Sequence, residues 1–132
     1  MRAVARQKRG LTHEVEIRGH TVVADEPRSL GGEDEGPTPQ ELVTGALAAC
    51  TAITVRMYAG RKGWDLGEFE VDVESESGER GACGPFTVVL RLSKELSGDR
   101  VQRLRVIAGK CPVHRTLASP EACVIEDRVE LV

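Results

Sequence analysis

From Thr38 to Gly63 the chain reads TPQELVTGALAACTAITVRMYAGRKG, and this stretch constrains the fold more than any other. Thr38 suits a helix N-cap and Pro39 the first helical position. Glu41, three residues after the cap, completes a capping box. Arg61 and Lys62 suit the negative end of the helix dipole, and Gly60 or Gly63 ends the helix. From Leu42 to Ile53 there is almost no polar face. A helix that is apolar all round has to be enclosed by protein. A chain of 132 residues builds a real core but not a roomy one, so a second subunit is expected to share the task.

The segments around this helix read mainly as strands. Residues 2–9 and 12–18 are two extended segments joined at Gly10, with Val15 and Ile17 on one side and Glu14, Glu16 and Arg18 on the other. After Gly19, HTVVAD resumes as a third strand. The loop DEPRSLGGEDEGPTP follows, longer than most connectors and rich in Gly, Pro and acids. GEFEVDVESES and PFTVVLRLSKE are further strands. SGDRVQRLRVIAGK is an amphipathic helix capped by Ser97 or Asp99, with Val101, Leu104, Ile107 and Ala108 facing the core. A short helix starts at Cys111-Pro112 and stops before Pro120, and ACVIEDRVELV closes the chain as a strand. The expected order is β-β-β-α-β-β-α-α-β, an α+β domain occupying residues 1–132 as one unit.

Charge and hydropathy exclude several classes. The net charge is −3, and the basic cluster RAVARQKR reads as a solvated strand face, so no nucleic-acid partner is expected. No apolar run approaches the ~20 residues that a membrane helix needs. No apolar segment follows the N-terminal charges, so no secretory signal is expected, and the reducing cytoplasm is the expected location.

In that compartment Cys50, Cys83, Cys111 and Cys123 are not expected to form structural disulfides, and without a C-x-x-C pair they do not read as a zinc ribbon. Cys50 lies mid-helix among Gly45, Ala46, Ala48 and Ala49, where a backbone or a substrate can approach; a buried inert cysteine is the alternative. Cys111 precedes Pro112 and so falls at an N-cap, where free N–H groups and the helix dipole favour a thiolate, with His114 and Arg115 one turn on. Cys83 reads as a turn residue before a strand, and Cys123 as core or edge packing in the last strand. Cys111 and His114, with Cys50, fall short of a convincing metal set, and no metal or other cofactor is expected.

Taken together, GPTPQELVTGALAAC, the preceding DEP and GG, and the later RLRVIAGKCPVHRTL resemble the OsmC/organic hydroperoxide resistance family over essentially the whole chain. The resemblance implies an intertwined α+β homodimer with long cysteine-bearing helices at its centre. It implies thiol-dependent reduction of organic hydroperoxides, with Cys50 as the attacking thiolate, Cys111 as the resolving thiol and an external dithiol as reductant. It also implies an arginine from the N-terminal strands, held by a glutamate at the helix start. Arg18 is the first candidate and Arg28 the second. The family's carboxylate position falls on Gln40 here, and the acid is Glu41, one residue on, which is about 100° around a helix. Gln40, His20 and Leu47 are expected on the substrate side, and Asp25 is a further lining candidate. Two alternatives stay open: a small-molecule binding protein with passive cysteines, and a redox sensor acting through a Cys50–Cys111 disulfide.

Overall fold

The structure is a computed structural model that describes residues 1–119, 121 and 123–132. Its elements are β1 (Ala3–Arg9), β2 (Thr12–Ile17), β3 (His20–Ala24), α1 (Pro39–Lys62), β4 (Phe69–Ser77), β5 (Cys83–Leu92), α2 (Gly98–Ala108) and α3 (Pro112–Ala118). Short 3-10 turns lie at Arg28–Leu30 and Glu79–Gly81. The α+β class expected from the sequence is the one observed. The chain forms two compact units. One comprises Met1–Gly45 with Ser75–Phe86, and the other Ala46–Glu74 with Thr87–Val132.

In the first unit, β1, β2 and β3 form an antiparallel meander with Ala5 opposite Val15 and Val15 opposite Val22. Its loop is organised by one buried carboxylate. Asp25 is 2 % exposed and accepts the Thr12 hydroxyl (2.9 Å) and the N–H groups of Glu26 (2.8 Å), Glu33 (3.3 Å) and Glu35 (3.2 Å). Arg9 pairs with Glu35 on the same loop. Gly32 is required by close approach, since a Cβ there would lie 1.8 Å from the Glu26 carbonyl oxygen. The helix start is the expected capping box: Glu41 N–H donates to Thr38 Oγ1 (3.1 Å) and Thr38 N–H to the Glu41 carboxylate (2.9 Å).

The second unit holds the main apolar core. Val55, Tyr58 and Ala59 of α1 pack with Leu66 and with Leu104 and Ile107 of α2, and Trp64, Phe69, Leu90 and Leu92 close around them. Helix α2 is capped by Ser97, whose hydroxyl accepts from Arg100 N–H at 3.4 Å. Val101 departs from expectation: it is 46 % exposed, because the buried stripe runs through Leu104 and Ile107 and leaves it at the edge.

Helix α1 is long and apolar enough to cross a membrane by length and composition, contrary to the expectation of no such run. The cause is that its few polar residues are spread out, so one long window counts as apolar. Within the chain it is covered on one side, by the face carrying Leu47, Thr51, Val55, Tyr58 and Ala59, while Ile53 and Met57 are 60 % and 56 % exposed.

The expected last strand requires correction. Its first residue, Ala122, lies outside the described residues, and from Cys123 onward the segment is part of no strand or helix. Its apolar residues Val124, Ile125, Val129 and Leu131 are all largely exposed. Apolar residues of this kind make a strand possible, but a strand exists only when a neighbour accepts its hydrogen bonds. Cys123 is accordingly exposed rather than packed, and Cys83 is the first residue of β5 rather than part of a turn. Pro120, the expected stop for the short helix, also lies outside the described residues, and α3 ends at Ala118.

Candidate functional site

The N-terminus of α3 is built as the sequence suggested. Cys111 is its N-cap, with extended backbone (φ −61°, ψ 141°), and its sulfur accepts the His114 N–H at 3.2 Å. Pro112 occupies the first turn, where its missing N–H costs nothing. Cys111 is fully buried, and its sulfur also accepts the Thr51 hydroxyl of α1 at 3.7 Å.

Cys50 of α1 meets this helix start. Its thiol lies close to that of Cys111, to the Val113 backbone N–H and to Thr54. A mid-helix cysteine has no free N–H of its own helix, and here the first turn of α3 brings the Val113 N–H to it instead. The electrostatic balance still runs the other way. Removal from water raises the Cys50 pKa above the ordinary thiol value, Val113 N–H opposes this, and the neighbouring Cys111 thiol raises it further. Both cysteines are free thiols.

Leu47, one turn before Cys50 on α1, is 2 % exposed and belongs to the same unit. Arg18, His20, Gln40 and Glu41 belong to the other unit. Arg18 sits in the tight turn between β2 and β3 with a positive φ of 49°, exposed. His20 is the exposed first residue of β3, opposite Ile17. Gln40 donates to the Gly81 carbonyl at 3.2 Å, and the Glu41 carboxylate is engaged in its cap. The Thr38 N–H and hydroxyl hold Glu41 below its ordinary pKa. Arg28 lies in the 3-10 turn, with Glu33 at 4.0 Å. Asp25 serves the loop described above. Among the described residues, no cluster of three or more His, Cys, Asp or Glu is placed to hold a metal ion.

Sequence reasoning missed Thr51, Thr54 and Val113. Thr51 carried a signal: a hydroxyl in the middle of an apolar helix has to find a partner once buried, and it is 1 % exposed. The Val113 contribution is a backbone N–H and left no trace in residue type.

The family model described as OsmC-like protein matches residues 32–126, and the chain belongs to that family. Solved structures share its fold. A Psychrobacter arcticus protein described as an osmotic stress induced and detoxification response protein superposes with a TM-score of 0.79 at 16 % identity, over 86 % of this chain and 85 % of that one. An OsmC-like protein from Mycoplasma pneumoniae gives 0.73 at 16 % identity, over 91 % and 86 %. An organic hydroperoxide resistance protein OsmC from Legionella pneumophila gives 0.61 at 21 % identity, over 89 % of each chain. A sequence search of curated proteins gives no match.

Proposed function

We propose that this chain is a thiol-dependent peroxidase of the cytoplasm that reduces organic hydroperoxides and works as a homodimer. The observation that carries the reading is the closeness of Cys50 and Cys111 at the start of α3, where the Cys111 sulfur accepts the hydroxyl of Thr51, the residue after Cys50. Membership of the OsmC-like family and the naming of the Legionella relative as a hydroperoxide resistance protein support it.

In the proposed cycle the Cys50 thiolate attacks one peroxide oxygen. The O–O bond breaks, the alcohol leaves with a proton, and Cys50 becomes a sulfenic acid. The Cys111 thiol attacks that sulfur, water leaves, and a Cys50–Cys111 disulfide forms. An external dithiol returns two electrons and two protons. No metal or organic cofactor enters this scheme. Val113 N–H and Thr54 stabilise the thiolate, and Leu47 supplies apolar wall beside it. For Arg18, Glu41, Gln40 and His20, the support for a role in activating the thiol or seating the peroxide is the family resemblance.

The test is stoichiometric. One equivalent of cumene hydroperoxide is added to the reduced protein, free thiols are counted, and disulfides are mapped by mass spectrometry. Loss of two of the four thiols, with a Cys50–Cys111 bond, is expected. Cys50→Ser should abolish turnover, and Cys111→Ser should stop after one turnover with Cys50 as sulfenate. Four thiols surviving after minutes would overturn the reading.

A second reading, small-molecule binding without turnover, is favoured by the raised Cys50 pKa and by a groove of about 460 Å³ in the same unit. Val88, Leu90, Leu92 and Leu104 line that groove, together with Arg105 and His114. Apolar walls with two basic side chains suit a small amphipathic acid.

A further inference from the structure

The C-terminal end of α1 and the outer side of α2 concentrate positive charge in a chain whose net charge is −3. The floor of this face is aromatic: Tyr58 of the core and the half-buried Trp64 meet edge to face, with ring centroids 5.6 Å apart. Arg100 lies 4.9 Å from the Trp64 centroid, while Arg103 and Lys62 lie 5.7 Å and 5.8 Å from that of Tyr58. Arg103 Nε also donates to the Tyr58 hydroxyl at 2.9 Å. The Arg103 hydrogen bond is the first cause of a lowered Tyr58 pKa; desolvation opposes it, and the charges of Arg103, Lys62 and Lys110 add to it. Lys110, whose N–H donates to the Ile107 carbonyl at 2.9 Å just past the end of α2, adds its charge to the same face.

All four cations are exposed, and none is ion-paired among the described residues. Asp65, beside Trp64, is paired with Lys94, and Asp99 in the first turn of α2 forms no ion pair with Arg103. Four like charges held close repel one another, and an anionic partner relieves that repulsion. The rings hold the guanidinium groups in place, so less side-chain entropy is lost on binding.

The composition of the patch identifies the kind of anion. Trp and Arg are enriched at the centres of protein–protein interfaces, and here the exposed Arg100 lies over the half-buried Trp64. A single-stranded nucleic acid needs open ring faces for its bases, and here Arg100, Arg103 and Lys62 already lie at the rings. Lys62 also lies on the opposite side of α1 from Ile53, at about 3.6 residues per turn, so a subunit seated on the Ile53 side leaves the patch open.

We propose that Lys62, Arg100, Arg103 and Lys110 form the docking face for the acidic surface of a protein dithiol that reduces the Cys50–Cys111 disulfide. This rests on the peroxidase reading. Lys110 immediately precedes Cys111, and since Cys111 is fully buried, the half-buried Cys50 is the sulfur that a partner held there would attack. One partner thiolate attacks a sulfur of the disulfide to give a mixed disulfide, and the second partner thiol displaces it. The partner is oxidised to its own disulfide, and Cys50 and Cys111 gain two electrons and two protons.

Trp64 is the only tryptophan in the chain and reports the patch directly. The probe is a synthetic Cys-Gly-Pro-Cys peptide flanked by glutamates, compared with its glutamine-flanked twin, titrated into reduced protein at low salt. The acidic peptide should shift Trp64 fluorescence and the neutral one should not. K62Q/K110Q should weaken binding roughly three- to tenfold, and about 0.5 M salt should abolish it. Pre-oxidised protein should be reduced faster by the acidic peptide, with the difference closing in K62Q/K110Q and the dithiothreitol rate unchanged. Equal response to both peptides, full binding by K62Q/K110Q, or tighter binding of a single-stranded oligonucleotide of matched charge would overturn the proposal. The fluorescence titration needs no disulfide, so failure of the protein to oxidise counts against the peroxidase reading and leaves the docking result standing.

Discussion

Cys50 is a half-buried thiol on a helix, and its acidity is set by what α3 brings to it. Burial and the Cys111 thiol push its pKa up, while Val113 N–H and Thr54 pull it down. Removing Cys111 deletes two of the raising causes, its hydrogen bond and its charge, and leaves Val113 in place. Cys111→Ala is therefore predicted to lower the Cys50 pKa relative to the reduced parent. The measurement is the pH dependence of iodoacetamide alkylation at Cys50, followed by mass spectrometry. A midpoint that stays or rises in the variant would contradict this account. The candidate residues Cys50 and Cys111 were legible in the sequence because their types and local contexts are distinctive. Their neighbours were less so. Thr51 was at best a polar residue in an apolar run, and the Val113 N–H is backbone contributed by a distant segment.

Elements specified by local chemistry were read accurately, as were the five strands that pair with neighbours close in sequence, and the last segment was not. The start of α1 is a Thr-Pro-Gln-Glu string whose capping bonds span three residues, so sequence and structure agree on it. The C-terminal segment has apolar residues suited to a strand, but among the described residues it pairs with no neighbour and stays out of both sheets. The acidic loop after β3 is an intermediate case. Its Gly and Pro residues marked a loop, but the hub was hidden, because Asp25 gathers Thr12, Glu26, Glu33 and Glu35 only once folded. Burial raises the Asp25 pKa, but the Glu26 N–H, the Thr12 hydroxyl and the Glu33 N–H outweigh it, and the net value lies below the ordinary 3.8. A depressed carboxyl stabilises the fold fully above its unfolded pKa, and that stability drains away as pH falls through the lower folded value. The amide signals of Glu26, Glu33 and Glu35 should therefore shift together at a pH below 3.8 in an NMR titration. Asp25→Asn replaces one accepting oxygen with a donor facing N–H groups, and it should expose the loop to Glu-C cleavage at neutral pH. Titration of the three amides at the ordinary carboxyl value, with normal protease resistance in Asp25→Asn, would remove Asp25 from this role.

At the scale of the whole molecule, the single chain leaves uncovered the side of α1 that the sequence says must be enclosed. Gly45, Ala46 and Ala49 precede Ile53 and Met57 on one exposed strip, at the i, i+3 and i+4 spacing of a helix face. Small residues at one end let a second backbone approach closely, and large apolar ones at the other gain from burial, each by about 1.5–3 kcal/mol when fully covered. A strip of this kind fits a two-fold partner, since the same patch serves both copies. Ile53→Asp places a charge where burial is expected and spares the internal core, which lies on the Val55, Tyr58 and Ala59 side. The parent protein should sediment as a dimer at micromolar concentration, and Ile53→Asp as a monomer with unchanged far-UV circular dichroism. Because Ile53 lies away from Lys62, the variant should keep the response of Trp64 to an acidic peptide. A parent that sediments as a monomer would show that α1 tolerates its exposed strip, and the proposed homodimer would fall with it.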